Sequence, residues 1–223
     1  MYWKDEGYLL SKNNFDENSI IIESFTLNHG KYSGIVYGGS SRKQKKNFQI
    51  GNKILLHWKS KGENRSGYFN IELIKPTSPE FFEDKVKTTC ILAASTILKI
   101  LLPERQINKK IFYSFEKLLN NLNDSRWINL YILWELSLIK ELGFEIDFLK
   151  KGNHLNETKK SIEINNKYFR IPSLLTEKEM FKVTKFQIRE ALEFNRSLIM
   201  ENFIIPNQLR FPLSRNLLEK YYN

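Results

Sequence analysis

Cysteine is almost missing from this 223-residue chain. Cys90 is the only one, which excludes an internal disulfide and any zinc site built on two or four thiolates. Its apolar setting, Thr89-Cys90-Ile91-Leu92, marks it as a small buried hydrophobe in a protein suited to a reducing compartment. Histidine is scarce too: His29, His57 and His154 stand apart with no ligand spacing, so neither a metal nor any other cofactor is expected. No stretch reaches the ~18 uninterrupted apolar residues of a membrane span. The best, Ile91 to Leu102, is broken by Ser95, Thr96 and Lys99. The opening Met1-Tyr2-Trp3-Lys4-Asp5-Glu6 is acidic where a signal peptide is basic and then apolar, so a cytoplasmic protein without a membrane partner is expected. Also absent are the Gly-x-x-x-x-Gly-Lys-Ser/Thr phosphate loop and the Gly-x-Ser-x-Gly elbow. No catalytic residue is expected.

Positive charge, by contrast, is abundant. Lys and Arg number 35 against 25 Asp and Glu, for a net +10. The excess is concentrated between residues 31 and 65, where Lys31, Arg42, Lys43, Lys45, Lys46, Lys53, Lys59, Lys61 and Arg65 face a lone Glu63. A solvated face normally mixes signs, so this segment points to a polyanion, nucleic acid before a membrane surface.

The pattern around that segment is β. Short runs rich in Ile, Val, Phe and Tyr, broken by turn signals, predict strands over 2–10, 19–27, 31–37, 53–59 and 68–74. Five such strands fit an OB-type barrel, and an SH3-like barrel fits the same arithmetic. Alternation along the fourth strand assigns Ile54, Leu56 and Trp58 to the core. The other face carries Lys53, Leu55, His57, Lys59 and Lys61, side chains about 7 Å apart that can neutralise successive phosphates. Tyr37 and Tyr68 are the candidate base-stacking residues beside them. The loop Gly38-Gly39-Ser40-Ser41-Arg42-Lys43-Gln44-Lys45-Lys46 reads as a basic flap.

Past Lys75-Pro76-Thr77-Ser78-Pro79 the period changes to helical. The expected organisation is therefore α+β: a five-stranded barrel over 1–76, then a mostly helical domain over 77–223. Helices are predicted from Pro79 (capped by Ser78) to Leu102, over 109–122, and over 125–142. A longer one opens on the capping box Thr176-Glu177-Lys178-Glu179 and runs to Phe203, and the last covers 214–221. The helix over 125–142 is apolar around nearly its whole circumference and should be buried. Glu135 in its middle then needs an Arg or Lys partner. Between about 150 and 170 lie a polar loop and a small hairpin turning at Asn165-Asn166.

Two clusters resemble a known family. Phe25-Thr26, Gly30, Val36, Gly38 and Arg42-Lys43, followed by Trp134-Glu135-Leu136, Leu138 and Leu142-Gly143-Phe144, are similar to the pattern of RecO, the bacterial recombination-mediator and DNA-repair family. The resemblance implies a non-enzymatic, nucleoid-associated protein of the RecF pathway with an OB-type barrel. It would bind single- and double-stranded DNA and anneal strands coated by single-stranded-DNA-binding protein (SSB). Together with RecR it would assist RecA loading. Many members carry a Cys₄ zinc site after the Leu-Gly-aromatic motif; here Lys150-Lys151 stands where its first Cys would fall, which implies a zinc-free member. Some members have Arg just before the aromatic-Glu-Leu motif, where this chain has Ile132-Leu133. For the acidic, apolar-tipped SSB tail the candidate cations are Arg126, Lys140, Arg189 and Arg196. The competing reading is an RNA-directed enzyme, or its accessory subunit, using the same basic barrel.

Overall fold

The computed structural model describes residues 1–41, 47–62, 67–144, 161–176 and 183–223. Packing divides the chain into two compact units, Met1–Leu119 and Asn120–Asn223.

The first unit begins with the five strands read from the sequence: β1 (Tyr2–Asn14), β2 (Ser19–Thr26), β3 (Gly30–Tyr37), β4 (Lys53–Lys59) and β5 (Tyr68–Lys75). They close into a barrel in the order β1-β2-β3-β5-β4, with β4 returning to β1. Every pairing is antiparallel except β3 with β5, which meet in parallel at a single residue pair, Ile35 and Tyr68. This is an OB-type topology. β1 serves two neighbours because its register shifts between Leu9 and Ser11, a bulge that bends the strand. Residues 2–8 pair with β4 and residues 7–14 with β2. The alternation read in β4 is the one observed: Ile54, Leu56 and Trp58 join Trp3, Leu9, Ile22, Phe48 and Phe69 in the barrel core. Trp58 is therefore core rather than a stacking platform.

Two helices, α1 (Lys85–Leu101) and α2 (Lys109–Asn120), pack on this barrel. The Tyr8 ring lies 5.5 Å from Phe112 and 5.2 Å from Phe115, and Phe25 lies 5.6 Å from Phe112. The change of period near residue 76 thus marks the end of the strands. The compact unit continues through α2 to Leu119. Ser78 does not cap a helix as expected. Its amide donates to Asn52 Oδ1 (3.2 Å) and its hydroxyl to Ile50 O, pinning a 3₁₀ turn over Ser78–Phe81 to the barrel. Asp84 supplies the cap of α1 instead, its Oδ1 accepting from the amides of Val86 (3.1 Å) and Lys87 (3.0 Å).

The second unit is built on α3 (Trp127–Glu141), which packs against α5 (Lys185–Ile199). As expected, α3 is buried over most of its surface, with Leu133, Ser137 and Lys140 exposed. A hairpin of β6 (Ser161–Ile164) and β7 (Lys167–Arg170) turns at Asn165 (φ 50°) and Asn166 (φ 63°). Asparagine tolerates that left-handed pair, which the tight turn requires. The polar loop before it lies outside the described residues. The short helix α4 covers Ser173–Thr176. Glu177 to Glu179 are outside the described residues, and the capping box sits lower: Gln187 N donates to Thr184 Oγ1 (3.2 Å) and Thr184 N to Gln187 Oε1 (3.0 Å). A π-helical turn, Met200–Ile204, extends α5, and α6 (Leu213–Lys220) closes the unit.

Glu135 has its partner. Arg215 on α6 donates to it twice, Nε to Oε1 at 2.6 Å and Nη2 to Oε2 at 3.2 Å, with both side chains fully buried. Tyr131 Oη (2.7 Å) and Asn195 Nδ2 (3.1 Å) supply two further donors. The guanidinium spends its other hydrogens on Glu219 Oε2 (3.1 Å) and Leu192 O (2.7 Å). A charge pair this deep holds only when its lone pairs and protons are satisfied.

Candidate nucleic-acid interface

The outer wall of the barrel over β1, β4 and β5 presents the predicted strand face, in two halves of different character. At one end Lys53 Nζ lies 2.8 Å from Glu116 Oε1 and 3.1 Å from Glu6 Oε1. Burial pulls this ammonium down, but its hydrogen bonds to Glu116 and Glu6 outweigh that and hold its pKa above the ordinary lysine value. Burial pushes the Glu116 carboxyl up, yet the hydrogen bonds from Lys53 and Tyr8 keep it below the usual range. His57 comes next, with Nδ1 3.2 Å from Tyr2 Oη and Nε2 3.4 Å from Glu72 Oε1. Lys53 and His57 are thus matched by carboxylates of their own fold.

The other half is open. Lys4, Lys59 and Lys61 are exposed and make no ion pair among the described residues. Strand register lines up Tyr2 on β1, Lys59 on β4 and Tyr68 on β5 as direct neighbours across the wall. Tyr2 is 64% exposed and Tyr68 38%. Tyr37, 67% exposed, stands beside Tyr68 with ring centroids 6.0 Å apart. Adjacent strands are about 4.8 Å apart, so aromatic, cation and aromatic alternate at close spacing across three strands. A flexible polyanion with π-faces is the natural complement: ammonium groups take phosphates and tyrosines take bases.

Lys31 does not belong to this surface. It is buried, its Nζ donates to Lys99 O at 2.7 Å, and burial lowers its pKa. The reason is its position in β3, where it faces α1 rather than solvent. Arg42, Lys43, Lys45, Lys46 and Arg65 lie outside the described residues. Tyr2 and Lys4 were missed by reasoning from composition, because the basic cluster begins thirty residues later. Their signal was the alternation of β1, read against a pairing with β4 that sequence does not show.

Of the four cations considered for an acidic tail, three meet carboxylates within their own unit. Arg126 Nε is 3.8 Å from Asp124, Arg189 Nε 3.5 Å from Glu193, and Arg196 Nη1 3.3 Å from Glu219. Arg189 also lies over the Phe186 ring and Arg196 over Phe211. Lys140, at the exposed end of α3, makes no ion pair among the described residues. A shallow cavity beside Arg196 is lined by Phe169, Met200, Ile205 and Glu219. No group of three or more His, Cys, Asp or Glu able to hold a metal occurs among the described residues, and none of their helices is long and apolar enough to cross a membrane.

The chain matches a known family along most of its length. Residues 1–77 match the family model described as Recombination protein O N terminal, and residues 83–196 match Recombination protein O C terminal. The chain is 33% identical over 147 residues to the DNA repair protein RecO of Jannaschia sp. (strain CCS1), covering 66% of this chain and 60% of that one. It is 34% identical over 150 residues to that of Cereibacter sphaeroides (strain ATCC 17029 / ATH 2.4.9), covering 67% and 62%. It is 32% identical over 152 residues to that of Wolbachia sp. subsp. Drosophila simulans (strain wRi), covering 67% and 62%. The matched segment thus spans 60–62% of the length of these curated relatives.

Proposed function

Since the chain belongs to the RecO family of DNA repair proteins, we propose that it is a non-enzymatic DNA-binding mediator whose barrel wall holds strands by their phosphates. The carrying observation is the open row Tyr2, Lys59 and Tyr68, with Tyr37 beside it and Lys4 and Lys61 close in sequence to its ends. Such a surface offers point charges and π-faces and few groups that discriminate base edges, so binding is weakly sequence-dependent and strongly salt-dependent. By charge, Arg42, Lys43, Lys45, Lys46 and Arg65 would strengthen phosphate binding. Two such strands held by their backbones leave their bases available to each other, which is what annealing of SSB-coated DNA requires. RecR is the assumed partner in passing the product to RecA, and Lys140 with the exposed Leu133 is the best-placed feature on α3 for an acidic, apolar-tipped SSB tail.

The test is annealing of complementary strands coated with SSB, in chelator and without nucleotide. The full-length chain is expected to accelerate it, and the Lys59→Ala/Lys61→Ala variant to do so poorly while melting like the parent. A demand for nucleotide, or RNA turnover by the chain, would support the enzyme reading instead. Equal annealing by parent and variant would remove the barrel wall from the mechanism.

A further inference from the structure

The seam between β3 and β5 is open for a short length. β3 is paired with β2 throughout, and among the described residues its other edge is held at two places. Ile35 N donates to Gly67 O at 3.1 Å, and Lys31 O accepts from Arg105 N at 2.9 Å. Ser33 lies between them on the same backbone parity, so its N–H and C=O face the gap. The gap is a cavity with an aromatic lining: Phe15, Tyr32 and the edge of Trp58, with Glu104 and Arg105 at its mouth. Trp58 reaches the wall because two positions lack a side chain. A Cβ on Gly34 would fall 2.5 Å from its ring, and one on Gly67 2.2 Å. Arg105 lies over the Tyr32 ring at 5.4 Å, and Ser33 Oγ donates to Glu104 Oε1 at 3.1 Å.

A cavity with an aromatic lining, a backbone donor and acceptor on its rim, one carboxylate and one guanidinium matches a planar heterocycle carried on an anionic chain. An added peptide strand does not fit, because β-augmentation needs a run of free edge residues and, among the described residues, only Ser33 offers its backbone to the gap. We propose that this slot receives one unpaired nucleobase of the bound strand. The inference rests on the DNA-binding reading given above and deepens it. Gly67 immediately precedes Tyr68, so the slot adjoins the open row, and a strand lying across Tyr68 delivers its next base to the gap. A base paired in a duplex cannot enter. The slot therefore makes this face select single strands.

The test uses the full-length chain with Phe15→Ala and Arg105→Gly as separate variants. Phe15 is 54% exposed and Arg105 sits at φ 60°, where glycine is comfortable, so both variants keep the fold. Each is expected to lose roughly five-fold in affinity for an oligothymidylate, the worth of a modest stacking contact, with duplex affinity unchanged. Photocrosslinking of a 5-iododeoxyuridine oligonucleotide is expected to mark Phe15, Tyr32 or Trp58. Equal losses on single strand and duplex, or crosslinks confined to Tyr2, Tyr37 and Tyr68, would overturn the slot and leave the DNA-binding reading standing. Failure of the parent chain to bind any oligonucleotide would overturn both.

Discussion

Replacing Arg215 by Met tests the buried charge network quantitatively. The substitution conserves much of the volume and removes the cation paired with Glu135, leaving that carboxylate with Tyr131 and Asn195 as donors. It also strips Glu219 of one of its two arginines, Arg196 remaining at 3.3 Å. Orphaning one member of a buried pair typically costs about 3–5 kcal/mol. For a chain of this size each kcal/mol moves Tm by about 2–4 °C, so the melting temperature should fall by roughly 6–20 °C. The companion Glu135→Leu/Arg215→Met removes both charges. It also removes the hydrogen bonds that Tyr131, Asn195, Glu219 and Leu192 O made to the pair, and should lie within about 2 kcal/mol of the parent. Urea denaturation of the parent, Arg215→Met, Glu135→Leu and the double variant closes a double-mutant cycle, with an expected coupling above about 2 kcal/mol. A single variant that loses less than about 1 kcal/mol, or a double variant that loses the sum, would refute the claim that the two side chains depend on each other.

Other outcomes follow from the barrel. Lys59→Ala/Lys61→Ala should flatten the dependence of log K on log salt by about 1.4 on single strands, two phosphates at roughly 0.7 each, as titrations at several salt concentrations will show. Lys53→Ala, already matched by Glu6 and Glu116, should leave that slope alone while lowering Tm; a flattened slope would place it on the DNA after all. Because Glu116 has a folded pKa below its ordinary value of 4.5, its contribution to stability is complete above that pH and lost as pH falls through the folded value. Glu116→Gln should therefore melt with a shallower acid limb than the parent, and parallel acid limbs would count against the pair.

The strands were legible because each carries its own signal. Alternation in Lys53–Lys59 separated core from surface correctly, and Asn165-Asn166 named its turn. Helix beginnings were less so, since Ser78 satisfies a local capping rule that tertiary contacts override. Ser78 is engaged by Asn52 and Ile50, and the reciprocal cap forms at Thr184. Glu135 announced that it needed a cation, but nothing short of three dimensions points to Arg215, eighty residues away. The same holds at the interface. A charge count includes Lys31 and Lys53, and strand alternation adds His57; register and ion pairing single out Lys59 with Tyr2 and Tyr68 as the part left open among the described residues.

The bend in β1 bears on how the barrel is made. One half of this strand can zip onto β2 as soon as the short turn at residues 15–18 is synthesised, whereas its other half waits for β4, whose partner residues 53–59 come much later. Until then residues 2–8 are an unprotected strand edge carrying Trp3 and Tyr8, the kind of edge that recruits a neighbouring chain. Long-range pairing of this sort is slow. The interval between translation of β2 and of β4 is thus the period in which the nascent protein most needs shielding, and lengthening the 38–52 connection would prolong it.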